Sequence, residues 1–312
     1  MIDQTLEKSI NDFLKDAKNS GLPPLLVVLG PTASGKTALS IELAKKYGGE
    51  IISADSRQVY RHMDIGTDKI AVDKREGVPH WLIDVVEPSE RFTVADFKKL
   101  AEKKIDEIFA RGNLPMLVGG TGLYIRAITQ NFKIPDQDLG VREKLMKELE
   151  EEGGKEKLYE RLCKLDPESS KKIHKNNIPY LVRALEIVAA TGAGKPNLKG
   201  EPKYKCLQTG IAWPREILFE RINKRVDEQI GRGLLEETKK LLDMGLGKKL
   251  ASMQSLGYKE IVQYLDGALT LEEALELLKN NTRNFAKRQM TWFKKDEGIL
   301  WVNNGDGELC TF

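Results

Sequence analysis

Cysteine is scarce in this chain of 312 residues: Cys163, Cys206 and Cys310 are all it has, widely spaced and without a C-x-x-C pair. That pattern excludes a disulfide framework and a structural zinc site, and it fits a reducing compartment. The three histidines are equally scattered and offer no metal-ligand spacing. No apolar run approaches the roughly 20 residues needed to cross a bilayer. The opening "MIDQTLEKSINDFLKDAKNSG" mixes acids and bases without the apolar core of a secretion signal. A cytoplasmic protein is expected. Charge of one sign is also lacking. A net charge of +3 does not announce a nucleic-acid binder, so any such role would need local clustering. The guanine-reading N-K-x-D is absent, which disfavours a GTPase.

What is present reads as α/β. "LLVVLG" (25–30), "EIISA" (50–54), "WLIDVV" (81–86) and "PMLVGG" (115–120) read as buried strands, with helical patterns between them at 36–47 and 94–110. Strands alternating with helices imply a parallel sheet covered on both faces, with ligands bound beyond the carboxyl ends of the strands. From about 132 to 203 the chain is highly charged and reads as short helices, closed by the Gly, Pro and Lys-rich 191–203. "KCLQTGIAW" (205–213) returns to the sheet, helices dominate 214–295, and "ILWV" (299–302) is a last strand. The expected organisation is an N-terminal helical extension over 1–22, a core from 23–131 and 204–312, and a helical insertion over 132–203. Ile2, Leu6, Ile10 and Phe13 recur at helical spacing in the extension, so packing is its expected role.

Gly30, Gly35, Lys36 and Thr37 fill the fixed positions of G-x-x-x-x-G-K-[ST], here "GPTASGKT" after a strand and before a helix. Such a loop turns backbone N–H groups inward and adds the positive end of a helix dipole. Lys36 would neutralise terminal phosphate oxygens, and the Thr37 hydroxyl would complete a Mg²⁺ shell. Asp84 is the best candidate for a Walker-B-like aspartate. Asp55 falls just past the second strand, facing the crevice above the loop. Its carboxylate can accept a proton from a nucleophile near a bound phosphate, or Asp55 and Ser56 simply cap the next turn. Ser56 and Gln58 are suited to reading a base edge. Residues 281–295 carry Arg283, Lys287, Arg288, Lys294 and Lys295 without an acid. On a helix, Arg283, Lys287, Thr291 and Lys294 share a line suited to backbone phosphates, with Phe285, Trp292 and Phe293 as anchors.

"GPTASGKTALS", "ISADSRQVYRHMDIGTDK", "LVGGTGLY" and "TRNFAKRQMTWF", in that order over roughly 25–302, resemble the bacterial tRNA dimethylallyltransferases, also called tRNA isopentenyltransferases. The resemblance implies transfer of a dimethylallyl group from dimethylallyl diphosphate to N6 of adenosine 37, beside the tRNA anticodon, with Mg²⁺ as cofactor. It implies that the loop grips the diphosphate of a prenyl donor through Gly30, Pro31, Thr32, Ala33, Ser34, Gly35, Lys36 and Thr37. It places Asp55, Ser56, Arg57, Gln58 and Thr121 at the adenosine, with Asp55, Lys36 and Thr121 catalytic. Arg221 and Arg225, one helical turn apart, could close over the diphosphate or form a solvated face with Glu220 and Asp227. Arg283, Lys287 and Arg288 become tRNA contacts. The family often carries a Gln-Arg pair where this chain has Pro179 and Tyr180, and Arg183, which keeps a second basic position, is carried over as a tRNA contact. Tyr180 reads as a core tyrosine, with stacking on a base as the alternative, and Lys259 could face RNA. The partners are then the tRNA anticodon stem-loop and the prenyl donor, and a monomer is expected. An adenylate-type isopentenyltransferase, a P-loop small-molecule kinase and a non-catalytic RNA-binding module remain alternatives.

Overall fold

The computed structural model describes residues 2, 4–135, 138–192 and 199–303. Cys310 and residues 193–198 of the glycine-rich 191–203 stretch lie outside the described residues. In chain order the elements are α1 Gln4–Ser20, β1 Pro24–Leu29, α2 Lys36–Tyr47, β2 Gly49–Ser53, β3 His80–Trp81, α3 Val94–Ala110, β4 Leu114–Gly119 and α4 Gly122–Thr129. Then follow α5 Leu139–Glu150, α6 Gly154–Leu165, α7 Pro167–Ser170, α8 Ile178–Thr191, β5 Lys205–Ala212, α9 Arg215–Gly231, α10 Leu234–Asp243, α11 Tyr258–Leu265, α12 Leu271–Phe293 and β6 Ile299–Asn303. The chain forms two compact units, 1–129 with 202–312, and 130–201.

In the larger unit the strands run parallel in the order β3-β2-β4-β1-β5-β6. The continuous apolar run of β1 suits a strand covered on both faces. Leu25, Val27 and Leu29 face the core under α3 and α4, whereas Leu26 and Val28 face the core under α1 and α2. The helical spacing of α1 is used for packing: Leu6 and Ile10 are wholly buried in that second core. The N-terminal segment is therefore part of the sheet's cover. α3 begins on a capping box, Thr93 with Asp96, which satisfies its first amides. A third core joins α10, α11 and α12 to Val59, Tyr60 and Met63 of the long connection after β2.

One strand is far shorter than expected. "WLIDVV" keeps strand form only at Trp81, because Leu82 and Asp84 turn left-handed, at φ 60° and 57°. The chain then bonds to the 58–59 segment instead of to β2, with Asp84 N–H donating to the Gln58 carbonyl and Val85 N–H to the Val59 carbonyl. Asp84 is no Walker-B aspartate: it lies half-exposed, paired with Lys69 at 2.5 Å.

The smaller unit is helical, α5 to α8, around Leu145, Leu158, Leu162, Leu181 and Leu185. Inside it the buried Glu186 carboxylate takes Arg142 at 2.7 Å and Arg183 at 3.1 Å. Arg183 also donates to the Pro135 carbonyl, so its guanidinium is engaged within the unit. Tyr180 is not a core residue. It is 65% exposed on the first turn of α8, because the buried face of that helix falls on Leu181, Val182 and Leu185.

Candidate active site

Three strand ends and two helices build the site. β1 runs into the phosphate loop, whose frame is fixed from outside. Trp213 Nε1 donates to the Ser34 carbonyl at 2.9 Å, and Arg221 Nε donates to the Ala33 carbonyl at 2.8 Å. These bonds hold the loop from behind, and the first N–H groups of α2 lack acceptors within their own helix. Gly35 caps α2 at φ 96°, a conformation open to glycine. Lys36 Nζ donates to the Pro31 carbonyl at 2.7 Å, and Thr37 is exposed beside it. Burial, and then repulsion from Arg225, lower the Lys36 pKa to about 8, against the opposing pull of Asp55 and Asp68.

At the end of β2, Asp55 performs the capping role: its Oδ1 accepts from the Arg57 and Gln58 amides at 2.8 and 3.4 Å. Its Oδ2 accepts no hydrogen bond among the described residues, so one carboxylate oxygen remains available. Gln58 is spent on structure, with its oxygen accepting from Ser53 Oγ and its nitrogen donating to the Thr67 and Asp68 carbonyls. Arg57 reaches the Ala251 carbonyl. The β4 end closes on β2 so tightly that a Cβ at Gly119 would lie 2.2 Å from the Ala54 carbonyl oxygen. Thr121 follows, and its hydroxyl oxygen accepts from the Ser56 amide at 3.1 Å.

Two adjoining cavities share Thr32, Asp55, Thr67, Arg225 and Phe285 as common wall. The smaller, about 100 Å³, lies at Lys36 and Thr37; the larger, about 360 Å³, opens between Asp55, Ser56, Arg57, Thr121, Arg288 and Lys259. Of the arginine pair on α9, only Arg225 reaches them. Arg221 stacks on Trp213 at 4.7 Å and braces the loop from behind, because it points one turn away from the crevice. The basic helix α12 likewise divides. Its buried row is Thr282, Ala286, Gln289 and Phe293. Arg283 lies on one flank, bonded to Asn223 and Asn280, with Lys287 over the Phe219 ring. Arg288 lies on the other flank with Phe285, at the larger cavity. Phe293 is the true anchor, Phe285 is cavity wall, and Trp292 is partly exposed under the Arg126 guanidinium at 4.9 Å.

Sequence reasoning missed two residues. Gln289 Oε1 accepts from the Thr32 amide and its Nε2 donates to the Gly120 carbonyl, both at 2.9 Å, tying the phosphate loop to the end of β4. A glutamine in the buried row of a helix was the available signal, since a buried amide must be bonded to something. Asp68, inside the quoted "DIGTDK", pairs with Arg225 at 3.2 Å and Arg232 at 3.0 Å, a contact that spacing does not reveal.

Residues 58–296 match the family described as IPP transferase. The chain belongs to the IPP transferase family. It is 48% identical over 291 residues to the tRNA dimethylallyltransferase of Acetivibrio thermocellus, covering 90% of this chain and 92% of that protein. Identity to the enzyme of the same name from Carboxydothermus hydrogenoformans is also 48%, over 91% and 93% of the two chains. Among solved structures it resembles the tRNA isopentenylpyrophosphate transferase of Bacillus halodurans, with a TM-score of 0.68, 45% identity, and 90% and 89% of the chains covered. A eukaryotic dimethylallyltransferase captured acting on tRNA matches with a TM-score of 0.78 at 30% identity, over 91% of this chain and 74% of that one.

Proposed function

We propose that this chain transfers the dimethylallyl group of dimethylallyl diphosphate to N6 of adenosine 37 in tRNA, giving N6-isopentenyladenosine and diphosphate. The observation that carries the reading is the wall common to the two cavities, Thr32, Asp55 and Arg225, with phosphate-loop groups on one side and Ser56, Thr121 and Arg288 on the other. The donor's diphosphate occupies the smaller cavity against Lys36 and the loop amides, with its allylic carbon at the common wall. The adenine enters the larger cavity, which requires it to leave the anticodon-loop stack.

The bond between N6 and the allylic carbon forms as the bond from that carbon to the diphosphate oxygen breaks. The N6 proton passes to Asp55 Oδ2, which its engaged Oδ1 holds in place. Lys36, Arg225 and the loop amides take up the charge gathering on the leaving oxygens. Because an aromatic amine is a poor nucleophile, alignment across the common wall supplies much of the rate. Thr37 offers a hard oxygen donor at the mouth of the phosphate loop, which fits Mg²⁺ held mainly by phosphate oxygens and water. When bound, the ion would neutralise diphosphate charge. Arg288, Arg57 and Lys259 are placed for RNA at the larger cavity, and Arg283 and Lys287 for phosphates on the far flank of α12. The reading further takes the protein to be a cytoplasmic monomer. No helix among the described residues is long and apolar enough to cross a membrane.

The test incubates the purified chain with Mg²⁺, dimethylallyl diphosphate and an unmodified anticodon stem-loop bearing adenosines at positions 36, 37 and 38, followed by nucleoside mass spectrometry. One isopentenyl group on adenosine 37 supports the assignment. Prenylation of AMP or ADP with the stem-loop unchanged would replace it by an adenylate-type transferase, and ATP turnover without RNA by a kinase.

A further inference from the structure

Both cations of the diphosphate seat already have internal partners. Lys36 rests on the Pro31 carbonyl. Arg225, which lines both cavities, rests on Asp68: Arg225 Nε lies 3.2 Å from Asp68 Oδ2. The other carboxylate oxygen of Asp68 is held by Arg232 at 3.0 Å, and Arg232 lines neither cavity. Asp68 thus stands between an arginine that faces the ligand and one that does not.

The backbone under Asp68 is held with unusual care. Asp68 adopts φ 52°, a left-handed conformation that residues other than glycine seldom take. It persists because the surroundings over-determine it. The Asp68 carbonyl accepts from Gln58 and its amide donates to the Ile65 carbonyl. The preceding turn hangs on Glu237 of α10, whose carboxylate accepts from the amides of Asp64, Ile65 and Gly66 and from the Tyr258 hydroxyl. Gln229 and Arg232 donate to the Ile65 carbonyl. Three helices therefore aim one carboxylate at Arg225.

We propose that Asp68 is a positioning residue for the prenyl donor: it holds Arg225 at the wall between the cavities until a diphosphate arrives, and Arg232 keeps the carboxylate paired once Arg225 has turned to the diphosphate. The inference rests on the transferase reading above. Its physical logic is charge exchange. A diphosphate entering beside Lys36 outbids a single carboxylate for the guanidinium, because it offers more charge and more acceptor oxygens. Releasing Arg225 would ordinarily strand a half-buried carboxylate, at high cost; the bond to Arg232 removes that obstacle.

The experiment is steady-state transfer by the full chain, with dimethylallyl diphosphate and the stem-loop varied in turn, for the wild type, Asp68→Asn, Asp68→Glu and Arg232→Gln. Asp68→Asn is expected to raise the donor KM about tenfold and to leave the RNA KM unchanged and kcat within about twofold. Asp68→Glu should recover most of the loss. Arg232→Gln should raise the donor KM as well, because Arg225 then becomes the sole partner of the carboxylate. An Asp68→Asn enzyme whose donor KM matches wild type overturns the inference. So does a joint loss of kcat, both KM values and melting temperature that Asp68→Glu does not repair, which would mark Asp68 as merely structural. A wild-type chain that transfers nothing overturns the transferase reading itself.

Discussion

A single ammonium decides the pH response of this site. Burial and the neighbouring Arg225 depress the Lys36 pKa to about 8, so in the ligand-free protein the charge is present below that pH and is lost above it. A depressed lysine pKa means that the phosphate seat weakens as pH rises. The donor KM should therefore climb above about pH 8, while kcat, measured with the donor bound and Lys36 held charged, changes little. A Lys36→Arg enzyme should lack this limb, because guanidinium stays protonated; a donor KM flat across pH 7–9.5 in wild type would contradict the assignment. Asp55 offers a sharper test, since its two oxygens divide the capping and catalytic readings. Asp55→Asn keeps an acceptor for the Arg57 and Gln58 amides and removes the base. The expected loss is roughly 10²- to 10⁴-fold in single-turnover rate, with both KM values within a few-fold of wild type. A rate equal to wild type would leave Asp55 as a cap alone.

At the scale of elements, helix α12 connects the phosphate loop to the sheet. Gln289 is its fastening, satisfying the Thr32 amide and the Gly120 carbonyl together. Gln289→Leu retains comparable bulk but orphans both backbone groups. Each buried unsatisfied group costs about 1–3 kcal/mol, so the variant should melt several degrees lower in calorimetry and bind dimethylallyl diphosphate more weakly. Unchanged donor affinity would show that the loop holds its shape without α12. The same helix presents different chemistry on its two flanks, Arg288 with Phe285 towards the larger cavity and Arg283 with Lys287 towards α9. Helical periodicity places all four on one element, but the neighbours of each flank determine what each residue meets.

Over the whole molecule there are two compact units, and the N-terminal helix belongs to the larger one. The helix α1 covers the sheet face carrying Leu26 and Val28, with Leu6 and Ile10 at zero exposure. Leu6→Ala or Ile10→Ala should each lower unfolding free energy by about 2–5 kcal/mol, as large-to-small changes in a packed core do. Denaturant titration would read this directly, and a loss under about 0.5 kcal/mol would mean that the helix is only laid on the surface. The small net charge of +3 agrees with local patches, not a global field, as the means of meeting RNA.

The sequence by itself determined most of the elements and the phosphate seat. Strand boundaries such as 25–30 and 115–120, the helices 36–47 and 94–110, and the loop Gly30–Thr37 are short-range matters of side-chain period, glycine conformation and helix starts, all readable within a dozen residues. The order of four motifs likewise placed the chain in its family before any fold was known. Tertiary structure alone decided which side chains meet. It left only Trp81 of "WLIDVV" in a strand because residues 84–86 found backbone partners at 58–59. It left Tyr180 in the open, sent Arg221 behind the loop and Arg225 into the crevice, and joined Asp68 to two arginines more than 150 residues away. Those outcomes depend on the packing of distant elements, whose contacts are set by the global fold and leave no local period to read.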